Sequence, residues 1–138
     1  MHDLTIRKYI NNDFKEVIKL LQSHFNIDNN IKDLDNNDYS YGIVAITNKM
    51  IVGYIRIDKL KDIGKNCYYY LLNYVCVNSN YQNMNIATKL LEFIFNEAKK
   101  NNIKYIELTS NSTRKAANHL YLKNNFIIKD TNVFIKKI

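Results

Sequence analysis

Val75-Cys-Val-Asn-Ser-Asn-Tyr-Gln-Asn-Met-Asn-Ile-Ala-Thr-Lys-Leu-Leu91 decides the fold, because it passes from an apolar strand through a short polar turn directly into an amphipathic helix. Such a turn is built to hold an anion. The tight turn and the first helical turn aim unpaired N–H groups at one point, and the helix dipole adds partial positive charge there. A pyrophosphate suits that geometry.

Working outward, Cys67–Val77 is rich in Tyr and Val and nearly continuous in apolar character, which predicts a central strand covered on both faces. Downstream of the turn, Ile86, Leu90, Leu91, Ile94 and Ala98 recur at helical spacing, and Lys99-Lys100-Asn101-Asn102 supplies positive charge and turn formers at the helix end. A strand is expected over 103–109 and a helix from Ser112 or Thr113 to about Lys123. A last pair of strands is expected over 126–129 and 133–138. Upstream, residues 41–47 and 50–58 read as two strands joined by an Asn48-Lys49 hairpin turn, with 28–37 a short helix or an irregular segment. Asn11-Asn12-Asp13 caps a helix with an apolar stripe at Phe14, Val17, Ile18, Leu21 and Phe25, after a first strand around Leu4, Ile6 and Tyr9-Ile10. The sum is an α/β fold: a mixed, mostly antiparallel central sheet with helices on both faces. The chain of 138 residues has no proline, repeat or linker, so 1–138 is expected to be a single domain.

Composition narrows the function classes. A hydrophobic content of 46% with 24% charged residues is that of a globular protein, and the start Met1-His-Asp-Leu-Thr-Ile-Arg7 lacks the apolar region of a secretory signal. A cytoplasmic protein without a membrane partner is expected. Cys67 and Cys76 lack metal or redox spacing and read as buried thiols, and no metal site is expected. The formal charge is +7, with basic residues scattered, while residues 26–40 hold four aspartates against one lysine. A basic nucleic-acid-binding module is the runner-up reading of that charge, but no RNP-type motif, zinc spacing or basic helix supports a nucleic-acid partner.

Three segments carry a resemblance. Gln82-Asn-Met-Asn85-Ile86-Ala87 resembles the (Gln/Arg)-x-x-Gly-x-(Gly/Ala) loop of the GNAT superfamily of acetyl-CoA-dependent N-acetyltransferases. Arg114-Lys-Ala-Ala117-Asn-His-Leu-Tyr121-Leu-Lys-Asn-Asn125-Phe126 resembles the family's Ala-x-x-x-Tyr-x-x-x-Gly-Phe segment, and Ile106-Glu-Leu-Thr-Ser-Asn111 resembles the strand before it. Asn85 and Asn125 stand where the family usually has glycine, and Asn best tolerates the left-handed backbone such positions need.

The resemblance implies direct attack of a primary amine on acetyl-CoA, with the acetyl donor as the one cofactor-like substrate. Val75, Cys76 and Val77 would offer backbone hydrogen bonds to the pantetheine arm and the acetyl oxygen. Gln82, Asn83, Met84, Asn85, Ile86, Ala87 and Thr88 would cradle the pyrophosphate, and Asn111 and Asn118 would bond the pantetheine amides. Tyr121 would be the catalytic group, hydrogen bonding to the departing thiolate. A thiol near ~8.5 and a phenol near ~10 make full proton transfer uphill by roughly 2 kcal/mol in water. Glu107 is the candidate general base, and His119 is expected on the outer helix face. The acidic stretch 26–40 would favour a small cationic or peptide amine as acceptor. A homodimer is compatible with the family, and a non-catalytic CoA sensor of the same fold is the alternative to an enzyme.

Overall fold

A computed structural model of the protein describes residues 3–138. Its elements are β1 (Thr5–Lys8), α1 (Phe14–His24), β2 (Ser40–Thr47), β3 (Met50–Asp62), β4 (Cys67–Val77), α2 (Ile86–Lys100), β5 (Ile106–Leu108) and α3 (Lys115–Lys123). The five strands lie in sequence order, β1-β2-β3-β4-β5. All neighbours are antiparallel except β4 and β5, which run parallel. That one parallel pair follows from α2, which carries the chain back across the sheet before β5 begins.

Each face of the sheet has its own apolar layer. On one face α1 lays down Val17, Leu20 and Leu21 against Tyr9, Val44, Tyr54 and Cys76. On the other, α2 buries Ile86, Leu90, Leu91, Ile94 and Ala98 against Ile43, Ala45, Val52, Ile55, Ile57 and Leu72, with Tyr121 of α3 alongside. Burying each large aliphatic side chain of α2 stabilises the fold by about 1.5–3 kcal/mol, so this helix is firmly seated. Gly53 lets it sit close: a Cβ there would come within 3.0 Å of Leu90 Cδ1 and 3.2 Å of Ile86 Cγ2. At the other side of the sheet, the Asp13 carboxylate at the start of α1 accepts two bonds from the Arg7 guanidinium, at 2.8 and 3.0 Å, and one from the Ile10 N–H at 2.9 Å.

Asparagine does much of the turning that glycine usually does. Six of the eight non-glycine residues with positive φ among the described residues are Asn48, Asn66, Asn83, Asn85, Asn102 and Asn125. Asn48 and Lys49, at φ 51° and 62°, form the hairpin turn between β2 and β3. At the end of α2, left-handed Asn102 lets the Ile103 N–H reach back to the Ala98 carbonyl at 2.9 Å. Asn125 does the same for α3, where the Phe126 N–H meets the Tyr121 carbonyl at 3.0 Å.

The expected final strands over 126–129 and 133–138 do not form; this stretch belongs to neither a strand nor a helix. Alternating apolar residues specify extended backbone, but a strand also needs a partner to take its N–H and C=O groups. No strand of this chain pairs with that segment among the described residues. Residues 28–37 are irregular rather than helical, and β3 runs four residues beyond the expected end at position 58. β5 occupies only the later part of the expected 103–109 strand. α3 begins at Lys115, because Asn111 first folds a side-chain turn, its Oδ1 accepting from the Thr113 N–H and hydroxyl at 2.9 and 2.8 Å.

Candidate active site

β4 and β5 stay paired only from Tyr70↔Ile106 to Leu72↔Leu108. β4 then continues to Val77, while the chain of β5 ends at Leu108 and turns off, so the two strands open like a V. On the side of β4 facing away from β3, the backbone of 73–77 has no strand opposite it among the described residues. Inside this segment lies a bulge. Register passes from Tyr54↔Cys76 to Arg56↔Asn73, so Tyr74 and Val75 together oppose Ile55. Tyr74 adopts φ 55°, a left-handed conformation that costs a bulky residue about 1–3 kcal/mol. An edge-on contact with Phe25, at 5.2 Å between ring centres, helps hold it.

The mouth of the V is a cavity of about 190 Å³ lined by Phe25, Leu72, Asn73, Tyr74, Val75, Leu108, Thr109, Arg114 and Tyr121. Its only charged lining residue is Arg114. Burial raises the Tyr121 phenol above its ordinary pKa, partly offset by Arg114, so the hydroxyl is neutral and a donor at physiological pH. The Cys76 side chain points instead into the layer beneath α1, and burial pushes its thiol up to about 12. A thiol so protonated is no nucleophile at neutral pH.

At the end of β4 the chain makes a single turn over Ser79–Tyr81, then the exposed loop Gln82, Asn83, Met84 and Asn85, and enters α2 at Ile86. The Gln82 side-chain amide donates to the Val77 carbonyl at 3.3 Å, tying the loop to the strand. Asn83 and Asn85 are left-handed, at φ 63° and 60°. This brings the first-turn N–H groups of Ile86, Ala87 and Thr88, which have no acceptor within the helix, to the open end of β4. An anion fits there, beside a strand edge able to bond an amide-bearing chain and a cavity with a phenol at its base.

The model of the acetyltransferase (GNAT) family matches residues 5–126. The chain belongs to this family. GNAT members are acyl-CoA-dependent N-acetyltransferases that take acetyl-CoA as donor. No curated protein matches the chain in sequence. Among solved structures, it is similar to an aminoglycoside acetyltransferase from an uncultured soil metagenomic sample, with 18% identity, a TM-score of 0.84 and 99% of both chains covered. It is also similar to a ribosomal-protein-alanine N-acetyltransferase from Brucella melitensis biovar Abortus 2308, with 14% identity and a TM-score of 0.80 over 99% of this chain and 100% of that one. Glucosamine-6-phosphate N-acetyltransferase from Arabidopsis thaliana gives 16% identity and a TM-score of 0.77 over 99% and 98%. At such identities the likeness carries the fold alone.

Other residues of this GNAT chain lie as follows. Val75 lines the cavity and Val77 ends β4 above the loop. The Asn118 amide donates to the Asn111 backbone carbonyl at 3.0 Å, and Asn111 Oδ1 accepts from Thr113, so both lie at the start of α3. Glu107 is absent from the cavity lining and lies 3.7 Å from Lys129 Nζ. His119 and Lys123 are exposed on α3. Of the three consecutive tyrosines, Tyr70 is buried and accepts from Asn101 Nδ2 at 3.1 Å, Tyr69 stacks on Tyr105 at 4.7 Å, and Tyr68 is exposed. Sequence reasoning missed Arg114, Tyr74 and Phe25. Arg114 was within reach of it, since it heads the segment that runs through Tyr121 to Phe126.

Proposed function

We propose that this GNAT protein transfers the acetyl group of acetyl-CoA to a primary amine by direct attack through a tetrahedral intermediate. The observation that carries the reading is the parting of β4 and β5, which leaves an unpaired backbone edge at 73–77 with Tyr121 beside it. In this reading Val75 and Val77 bond the pantetheine arm through main-chain groups facing away from β3, while those of Cys76 face Tyr54, and an N–H at the bulge stabilises the acetyl oxygen as it gains charge. Residues 82–88 hold the pyrophosphate, with the Thr88 hydroxyl as an added donor. Tyr121 donates to the sulfur as the carbon–sulfur bond breaks. Arg114 adds positive charge close to the thiolate that forms there.

The acceptor is a small cationic or peptide amine. Phe25, at the cavity mouth, leads straight into 26–40 and its four aspartates, which would draw in a protonated amine. The test measures thiol release from acetyl-CoA with a panel of polyamines, aminoglycosides and peptides, for the wild type and Tyr121→Phe. The variant should lose turnover by about 10²-fold while binding acetyl-CoA as tightly by calorimetry. Unchanged turnover would remove Tyr121 from the chemistry. Donor binding without transfer to any amine would favour a CoA sensor of the same fold.

A further inference from the structure

The chain has three arginines against seventeen lysines, and two of the three are committed to the scaffold. Arg7 is held by both oxygens of Asp13, at 2.8 and 3.0 Å. Arg56 Nη2 donates to Ser40 Oγ at 2.6 Å, and that hydroxyl donates to Asp58 Oδ1 at 2.6 Å, so a carboxylate answers its charge through one hydroxyl. Arg114 has no carboxylate partner among the described residues. It stands in the wall of the cavity between β4 and β5, with Asn73 and Thr109 in the same wall and Tyr121 at the base. Its charge is felt there, offsetting the effect of burial on both the Tyr121 phenol and the Cys76 thiol. A guanidinium is a planar fork of donors that matches a carboxylate with two parallel bonds, which a lysine ammonium cannot do. No residue lining this cavity supplies that carboxylate.

We propose that the acceptor brings it: the substrate is an amino acid whose carboxylate seats on Arg114 while its α-amine faces the acetyl group. This rests on the acetyl transfer proposed above and narrows its acceptor. The cavity holds about 190 Å³, below the ~300 Å³ at which pockets begin to enclose a whole drug-sized ligand, so it takes a head group and leaves the side chain outside. Phe25, in the same wall, leads into 26–40 and its four aspartates, so a basic side chain satisfies the other end. The class is then the diamino carboxylic acids, of which lysine is the simplest probe. Arg114 also eases the want of a general base. A neighbouring cation and a neutralised carboxylate both favour the uncharged amine, taking it toward the ~7.7–8.0 of a peptide α-amino group, against ~10.4 for a lysine side chain. At pH 7 the neutral fractions differ by roughly two orders of magnitude, so the α-amine is the better nucleophile where no carboxylate or imidazole lines the cavity. In the transfer, the amine lone pair forms the carbon–nitrogen bond, the carbon–sulfur bond breaks with its electron pair on sulfur, and the proton the amine sheds ends on the CoA thiol. The acceptor carboxylate stays on Arg114 throughout.

The experiment measures thiol release at saturating acetyl-CoA with lysine and with lysinamide, which keeps both amines and loses the carboxylate charge. The wild type should show the lower KM for lysine, and mass spectrometry of the product should place the acetyl group on the α nitrogen. Arg114→Gln should lower the ratio of kcat/KM for lysine to that for lysinamide by about 10–100-fold, and Arg114→Lys should restore part of it. Intrinsic differences between the two amines, and any effect of Arg114 on the leaving thiolate, cancel in that comparison. A lower KM for lysinamide, a ratio unmoved in Arg114→Gln, or acetylation of the side-chain amine would each overturn the proposal. Transfer to polyamines or peptides without any to lysine would do the same while leaving the acetyl transfer itself standing, whereas absence of transfer to every amine would remove both.

Discussion

Gly53→Ala probes how the seat of α2 governs the donor site. The new methyl would stand 3.0 Å from Leu90 Cδ1, 3.2 Å from Ile86 Cγ2 and 3.3 Å from Ala45 Cβ, against about 3.5–4.0 Å for comfortable carbon contacts. Leu90 is fully buried, so its methyl has no open space to turn into. Relief must come from lifting the first turns of α2 by about half an ångström, and overpacking of this kind costs about 1–3 kcal/mol. In the middle of that range the melting temperature should fall by about 6–12 °C for a chain of this size. Ile86 is the first residue of α2, so the same movement displaces the amide cradle that precedes it. The KM for acetyl-CoA should rise about three- to tenfold, with kcat changed less. Gly64→Ala is the control, since its methyl would meet nothing nearer than Asp62 Oδ1 at 3.6 Å. Calorimetric melting and steady-state kinetics read both effects. A melting temperature equal to that of the control would refute the tight contact, and a lowered one with an unmoved KM would refute its coupling to the donor site.

Three further expectations concern protons and thiols. No carboxylate or imidazole lines the cavity, so kcat/KM should climb about tenfold per pH unit toward the pKa of the acceptor amine; a plateau near neutral pH would reveal a general base. Burial alone would raise the Asp13 carboxyl, but Arg7 and the Ile10 N–H outweigh it and hold its pKa below the ordinary value. Its contribution is therefore complete above about pH 4 and is lost as pH falls through the lowered folded value. Asp13→Asn should cost about 1–2 kcal/mol at neutral pH and flatten the acid end of a stability–pH curve; parallel curves for the two proteins would contradict this. Cys76, buried with its thiol near 12, should resist a disulfide reagent at pH 8 in the native protein and react only on unfolding, whereas labelling as fast as at half-exposed Cys67 would count against its burial.

The local turns and helices were legible because their signals are local. Asn85 and Asn125 were expected in left-handed backbone because they stand where the resembled family has glycine and Asn tolerates that conformation, and both adopt it. The α2 stripe from Ile86 to Ala98 was likewise written in its own spacing. What stayed hidden depends on distant partners. Residues 126–138 have the alternation of strands but find none beside them, and Glu107, a plausible base by position, turns toward Lys129. The bulge at Tyr74 was hidden for the same reason: an aromatic residue is among the least expected at positive φ, and only the register between β3 and β4 forces it there.

The parting of β4 from β5 also bears on how far such a sequence can drift. Most of the contacts assigned to the donor come from main-chain groups whose positions depend on strand register, a bulge and a helix start. Main-chain groups are the same in every residue, so selection acts on shape and leaves identity loose. A chain can then carry asparagine at both turns where the family usually has glycine, and share only 14–18% of its residues with proteins of the same fold.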